Sequence, residues 1–163
     1  MAKPFYRPET YKARSAVSYL VRRADNLLTP KLEDLFADHG FTFAQWAVLM
    51  HLRDGLADTC ADIARSFHHD SGAMTRILDQ LETRGLVDRR RCTEDRRVVR
   101  LKLTPEGSRT VESLIPYVAD FLNQVVGDFT REEADALVRL MTKLVVRLES
   151  MDGKTEQKEQ GRS

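Results

Sequence analysis

Residues 80–107 read QLETRGLVDRRRCTEDRRVVRLKLTPEG, and the chain changes its periodicity within this stretch. Up to Thr83 the apolar residues recur at helical steps. Met74, Ile77, Leu78 and Leu81 form one stripe, with Gly72, Thr75, Arg76, Asp79, Gln80 and Thr83 on the opposite face. Gly85 is placed to close that helix, because the residue after a helix end often takes a positive φ and glycine does so without a steric penalty. Beyond it LVDRRR and VVRLKL are short, rich in β-branched and long side chains, and separated by the polar CTEDRR, which predicts a β-hairpin. Val99, Leu101 and Leu103 alternate there with Val98, Arg100 and Lys102, so one face packs and the other is solvated. Thr104 then offers an N-cap, with Pro105 suited to the first helical position.

Upstream, FTFAQWAVLMHL places Thr42 and Gln45 at the spacing of a capping box, with Phe41 and Trp46 as a hydrophobic staple, and predicts a helix from Phe43 to about Leu52. Ala61, Ile63, Ala64 and Phe67 share one side of a short helix from Cys60 to Phe67, and Asp70 offers an N-cap to the helix starting at Ser71. Two helices joined by a short turn outline a helix-turn-helix. Further upstream a helix is expected from about Tyr11 to Phe36, bent near Pro30 and ended by His39 and Gly40. Downstream, helices are expected from Pro105 to about Gly127, bent at Pro116, and from Arg131 to about Met151, the latter opened by a Thr130/Glu133 capping box. The tail GKTEQKEQGRS has no hydrophobic residue and reads as disordered. The organisation expected is therefore an N-terminal helix over 1–38, a winged helix-turn-helix over 41–104, two C-terminal helices over 105–151 and a disordered tail over 152–163.

A chain of 163 residues, 42% hydrophobic and 31% charged, fits one globular domain or a small domain with appendages and excludes a chain that is disordered throughout, collagen-like or disulfide-framed. No apolar run approaches a bilayer span and the start MAKPFYRPETYKAR lacks a secretory core, so a cytoplasmic protein without a membrane partner is expected. Cys60 and Cys92 are then free thiols. Neither they nor His39, His51, His68 and His69 fall in a metal-ligand spacing, and no nucleophile, base and orienter stand together; no metal, cofactor or enzymatic activity is expected. Charge is informative only locally. From Arg84 to Lys102 eight basic residues face three acidic ones, a net +5, whereas the whole chain is +1 and the remainder therefore −4. A basic hairpin after a helix-turn-helix points to double-stranded DNA.

The segment quoted above resembles the wing signature of the MarR family of bacterial transcription regulators, in which Asp-x-Arg is followed by Leu-Thr and a glycine: here Asp95, Arg97, Leu103, Thr104 and Gly107. FTFAQWAVL and SGAMTRILDQLETRGLV extend the resemblance, and element order agrees from roughly Tyr11 to Met151. The resemblance implies a mainly α fold with a small β-hairpin wing, a homodimer held by the N- and C-terminal helices, and an Arg97 that enters the minor groove while Asp95 orients it. The first half of the recognition helix, Ser71, Gly72, Ala73, Thr75 and Arg76, is the half that meets bases. Arg89, Arg91, Asp95, Arg96 and Arg97 are the DNA-binding candidates of the hairpin. The resemblance also suggests a small aromatic or phenolic acid as effector, for which Tyr19, Arg23, Trp46, Met50 and Tyr117 would form an apolar wall with a cation. The function expected is a repressor that binds a palindromic operator and is released by that ligand. The competing readings are a winged-helix protein-interaction module that has lost DNA binding, and a redox-responsive regulator acting through Cys92.

Overall fold

The computed structural model describes residues 4–67, 71–91 and 99–160. Two short 3-10 turns, Pro8–Thr10 and Ala13–Ser15, precede α1 (Val17–Ala37), α2 (Phe43–Arg53), α3 (Cys60–Phe67), α4 (Ser71–Thr83), β1 (Val87–Arg91), β2 (Val99–Leu103), α5 (Pro105–Val125) and α6 (Arg131–Gln160). The chain forms two compact units, up to Val118 and from Ala119 onward, and α5 contributes to both. Among the described residues no helix is long and apolar enough to cross a membrane.

The first unit is built around the stripes read from the sequence. Phe36 of α1, Val48 and Leu49 of α2, Ile63 of α3, Met74, Leu78 and Leu81 of α4, Val87 and Leu101 of the hairpin and Val111 of α5 are all fully buried. Each contributes on the order of 1.5–3 kcal/mol by leaving water. Helix ends are set locally. Thr42 accepts from the Gln45 backbone N–H at 3.1 Å while the Gln45 side chain accepts from that of Thr42 at 3.1 Å, which is the expected capping box. Gly40 (φ 74°) and Gly85 (φ 69°) end α1 and α4, with Phe41 N–H donating to Phe36 C=O and Leu86 N–H to Leu81 C=O, each at 2.9 Å.

β1 and β2 pair antiparallel in the register Val87↔Leu103, Arg89↔Leu101 and Arg91↔Val99, so Arg89 lies on the packed face of the hairpin. A third edge was not expected. Leu101 N–H donates to Asp58 C=O at 2.7 Å and Thr59 bridges Arg100, so the segment before α3 completes the small sheet.

Two expected boundaries are corrected. The first helix begins at Val17, not Tyr11, because Lys12 and Ala16 are extended and split the approach into 3-10 turns; the Tyr6 hydroxyl then accepts the Val17 N–H at 2.9 Å, where Ala16 has no capping side chain. Pro30 sits inside α1 without ending it.

The second unit pairs the end of α5 with α6, which opens on the expected Thr130/Glu133 box: the Glu133 carboxylate accepts from Thr130 N–H at 2.9 Å and Thr130 Oγ1 from Glu133 N–H at 3.2 Å. The second correction is here, since α6 runs on to Gln160 where disorder from residue 152 was expected. A helix backbone needs no apolar residue, and Lys, Glu and Gln are strong helix formers. Leu122, Val125, Phe129, Leu137, Val138, Leu140, Val145 and Leu148 are exposed, and the first five border a groove of about 520 Å³.

Candidate nucleic-acid interface

α4 is the centre of the site. Its buried stripe fixes its rotation, which leaves Gly72, Thr75 and Arg76 exposed and Ala73 half-buried, and Ser71 opens the helix. Among the described residues Arg76 has no acidic partner. Two braces that the sequence did not announce hold this helix. The Gln45 amide, only 7% exposed, donates from Nε2 to Gln80 Oε1 at 2.8 Å, so the residue that caps α2 also grips α4. At the other end Arg84 lies 3.9 Å above the Phe41 ring and donates to Gly40 C=O at 2.9 Å.

The wing arginines separate into distinct environments. Arg89, expected to contact DNA, is instead turned onto α4: its guanidinium donates to Asp79 at 2.6 Å and its Nε stands 3.2 Å from Glu82 in ion-pair geometry without a hydrogen bond. The strand alternation explains this, because two residues after the buried Val87 the side chain must point to the packed face. Arg90 pairs with Asp88 at 2.7 Å and Arg100 with Asp58. Arg91 and Lys102 are exposed. Asp95, Arg96 and Arg97, together with Cys92, His68, His69 and Asp70, lie outside the described residues.

Where the hairpin returns to α5, Thr104 N–H donates to Leu86 C=O at 3.0 Å, its hydroxyl donates to Gly85 C=O at 2.6 Å, and that hydroxyl accepts from Gly107 N–H at 2.9 Å. A Cβ on Gly107 would stand 2.0 Å from the Leu86 carbonyl oxygen, so only glycine permits this approach. At the start of α3, Thr59 donates to Asp62 at 2.6 Å and accepts from its N–H at 3.1 Å. That hydroxyl holds the Asp62 carboxyl below its ordinary value of 3.8 against the opposing effect of desolvation, aided by Arg65 and Arg100.

The five ligand candidates do not all share the environment expected of them. Tyr19 and Arg23 line a shallow depression of about 160 Å³ along α1 with Arg22, Asn26 and Leu27. Trp46 is buried and stacked on Phe36 at 5.1 Å, Met50 is half-buried on α2, and Tyr117 packs on His39 at 4.2 Å.

A family model described as the MarR family matches residues 39–98. The HTH-type transcriptional repressor YetL of Bacillus subtilis (strain 168) is 31% identical over 121 residues, spanning 72% of this chain and 71% of that protein. Among solved structures, a mutant MarR from E. coli complexed with operator DNA superposes with a TM-score of 0.67 and 27% identity, over 78% of this chain and 92% of that one. BpsR of Bordetella bronchiseptica, whose structure concerns regulation of its DNA binding by 6-hydroxynicotinic acid, superposes at 0.70 with 28% identity, over 83% and 96%. With its helical scaffold, its antiparallel hairpin and the glycine at the foot of that hairpin, this chain belongs to the MarR family of winged-helix transcriptional regulators, which are not enzymes.

Proposed function

We propose that the protein is a DNA-binding repressor that acts in the cytoplasm as a homodimer on a palindromic operator. The observation that carries this is the outward face of α4, with Gly72, Thr75 and an exposed Arg76 that has no acidic partner among the described residues, on the same chain segment as the exposed Arg91 of β1. An exposed helix face with an arginine near its N-terminal half is what a major groove accepts, and a basic strand beside it suits the adjacent backbone. Arg97 at the wing would enter the minor groove, oriented by Asp95, with Arg96 on phosphate. A two-fold dimer matches two half-sites about one helical turn apart. In this reading residues 41–104 read the DNA, while 1–38 and 105–151 carry the dimer contacts, consistent with the exposed apolar residues of α1 and of α6 taken separately.

The effector in this reading is a small aromatic or phenolic acid, the class to which the compound associated with BpsR belongs. Tyr19 and Arg23 supply a ring and a cation for a carboxylate, and binding would act through its differential affinity for DNA-competent and DNA-incompetent states. Selection of genomic fragments on the immobilised protein, followed by mobility shifts with the recovered sequence, tests the operator. Arg76→Ala should relax specificity at one position by about 1–3 kcal/mol. A uniform loss across sequences would restrict Arg76 to phosphate, and no selected fragment at all would remove the DNA-binding reading. Trp46 emission, followed during titration with aromatic acids alongside operator release, tests the effector.

A further inference from the structure

We propose that Arg89 is a positioning residue of the DNA-binding surface: it locks the wing to the recognition helix and neutralises two carboxylates of that helix that would otherwise face the phosphates. The proposal rests on the reading of α4 as the recognition helix. Arg89 emerges from β1 on the face it shares with Leu101 and is 26% exposed at its side chain, while Asp79 and Glu82 stand one helical turn apart on α4. One guanidinium thus bridges two elements, through a 2.6 Å hydrogen bond to Asp79 and a 3.2 Å approach to Glu82. The Asp79 and Glu82 carboxylates are about half-exposed, so these pairs add little to folding stability. Their consequence is electrostatic. Asp79 lies next along the outer face from Thr75 and Arg76, and without Arg89 it and Glu82 leave two uncompensated negative charges on the helix offered to a polyanion. The same loss frees the hairpin to pivot about its remaining anchors, Arg100 to Asp58 and the Leu101 backbone bond.

A direct DNA contact and a positioning role give opposite results when the acids are removed. Four full-length proteins decide between them: wild type, Arg89→Ala, the pair Asp79→Asn with Glu82→Gln, and all three substitutions together. Fluorescence anisotropy with a labelled mixed-sequence duplex at low salt needs no known operator, and circular dichroism confirms that each variant is folded at the assay temperature. Arg89→Ala should weaken binding on the order of tenfold, whereas the same substitution in the neutralised background should change it less than about threefold. A loss of equal size in both backgrounds overturns the proposal and assigns Arg89 to the DNA. Arg89→Lys, which keeps the charge and one contact, should recover most of the affinity; a lysine variant as weak as alanine also counts against it. If the wild type itself fails to bind duplex, the DNA-binding reading falls. The brace is then judged separately by amide hydrogen exchange along β1 and β2, where protection unchanged by Arg89→Ala refutes it.

Discussion

Gly107→Ala should be among the most damaging small substitutions in the chain. The added methyl would stand 2.0 Å from Leu86 O, 3.0 Å from Leu86 C and 3.3 Å from Leu103 Cδ2. A carbon–oxygen contact needs more than 3 Å, and two of the three neighbours are backbone, so a rotamer change cannot relieve it. The start of α5 must move about 1 Å from the Gly85–Leu86 turn, a displacement of the size that overpacking enforces at about 1–3 kcal/mol. That movement stretches the Thr104 N–H bond to Leu86 C=O and the Thr104 hydroxyl bond to Gly85 C=O, worth about 1 kcal/mol each. Alanine returns less than about 1 kcal/mol through helix propensity, leaving a net loss of about 3 kcal/mol. For a chain of this size the melting temperature should fall by about 10 °C, measured by circular dichroism at 222 nm with Ser108→Ala, an exposed neighbour, as control. Because the turn carries α4 into β1, the folded variant should also bind duplex more weakly. A melting temperature within about 2 °C of wild type would refute the close approach.

Arg97→Ala should lower the slope of log affinity against log salt by about 0.9 and weaken binding to all sequences alike; an unchanged slope would take Arg97 off the duplex. Gln45→Ala removes both the capping partner of Thr42 and the grip on Gln80, and should cost about 1–2 kcal/mol in urea unfolding, against a smaller loss for Gln80→Ala, which leaves the box intact. Asp62 has a lowered folded pKa, so its stabilisation is present above its ordinary 3.8 and lost as the pH falls through the lower folded value. Asp62→Asn should therefore be less stable than wild type near pH 6, with the gap closing below about pH 4, and a gap independent of pH would refute the Thr59 contact as its source. Removing Thr130 to Met151 should abolish the dimer in sedimentation, and a truncated chain that stays dimeric would place the interface elsewhere.

The parts of the fold governed by local periodicity were readable from the residues alone. The stripe Met74, Leu78 and Leu81, the boxes at Thr42/Gln45 and Thr130/Glu133, and the closing glycines at 40 and 85 each follow from interactions within a few residues, and each is present. What lay beyond that range was not readable. Residues 58–59 show no strand pattern, and their bridge to Arg100 exists only because β2 passes beside them. The start of α1 depends on the Tyr6 hydroxyl, eleven residues from the N–H that it accepts. The surroundings of Trp46 were unreadable for the same reason: Tyr19, Trp46 and Tyr117 were read together as parts of an apolar wall, but the pairing of Trp46 with Phe36 and of Tyr117 with His39 needed coordinates.

Charge gives the sharpest case. The net +5 between Arg84 and Lys102 counts side chains without their partners. Arg84 is engaged with Gly40 and Phe41, Arg89 with Asp79 and Glu82, and Arg100 with Asp58, and all of these partners lie outside the counted segment. Adding the acids Asp58, Asp79 and Glu82 cuts the local excess from five to two. The positive field is therefore narrower than the sequence suggests, and among the described residues of the hairpin it falls on the exposed Arg91 and Lys102. The alternation that put Val87 inside already required Arg89 to point inward; Arg91 shares that face but is exposed because it lies at the end of the strand, opposite Val99. A count of basic residues marks a charged segment; the packing of each strand position and the acids one helix away decide which of them are left exposed.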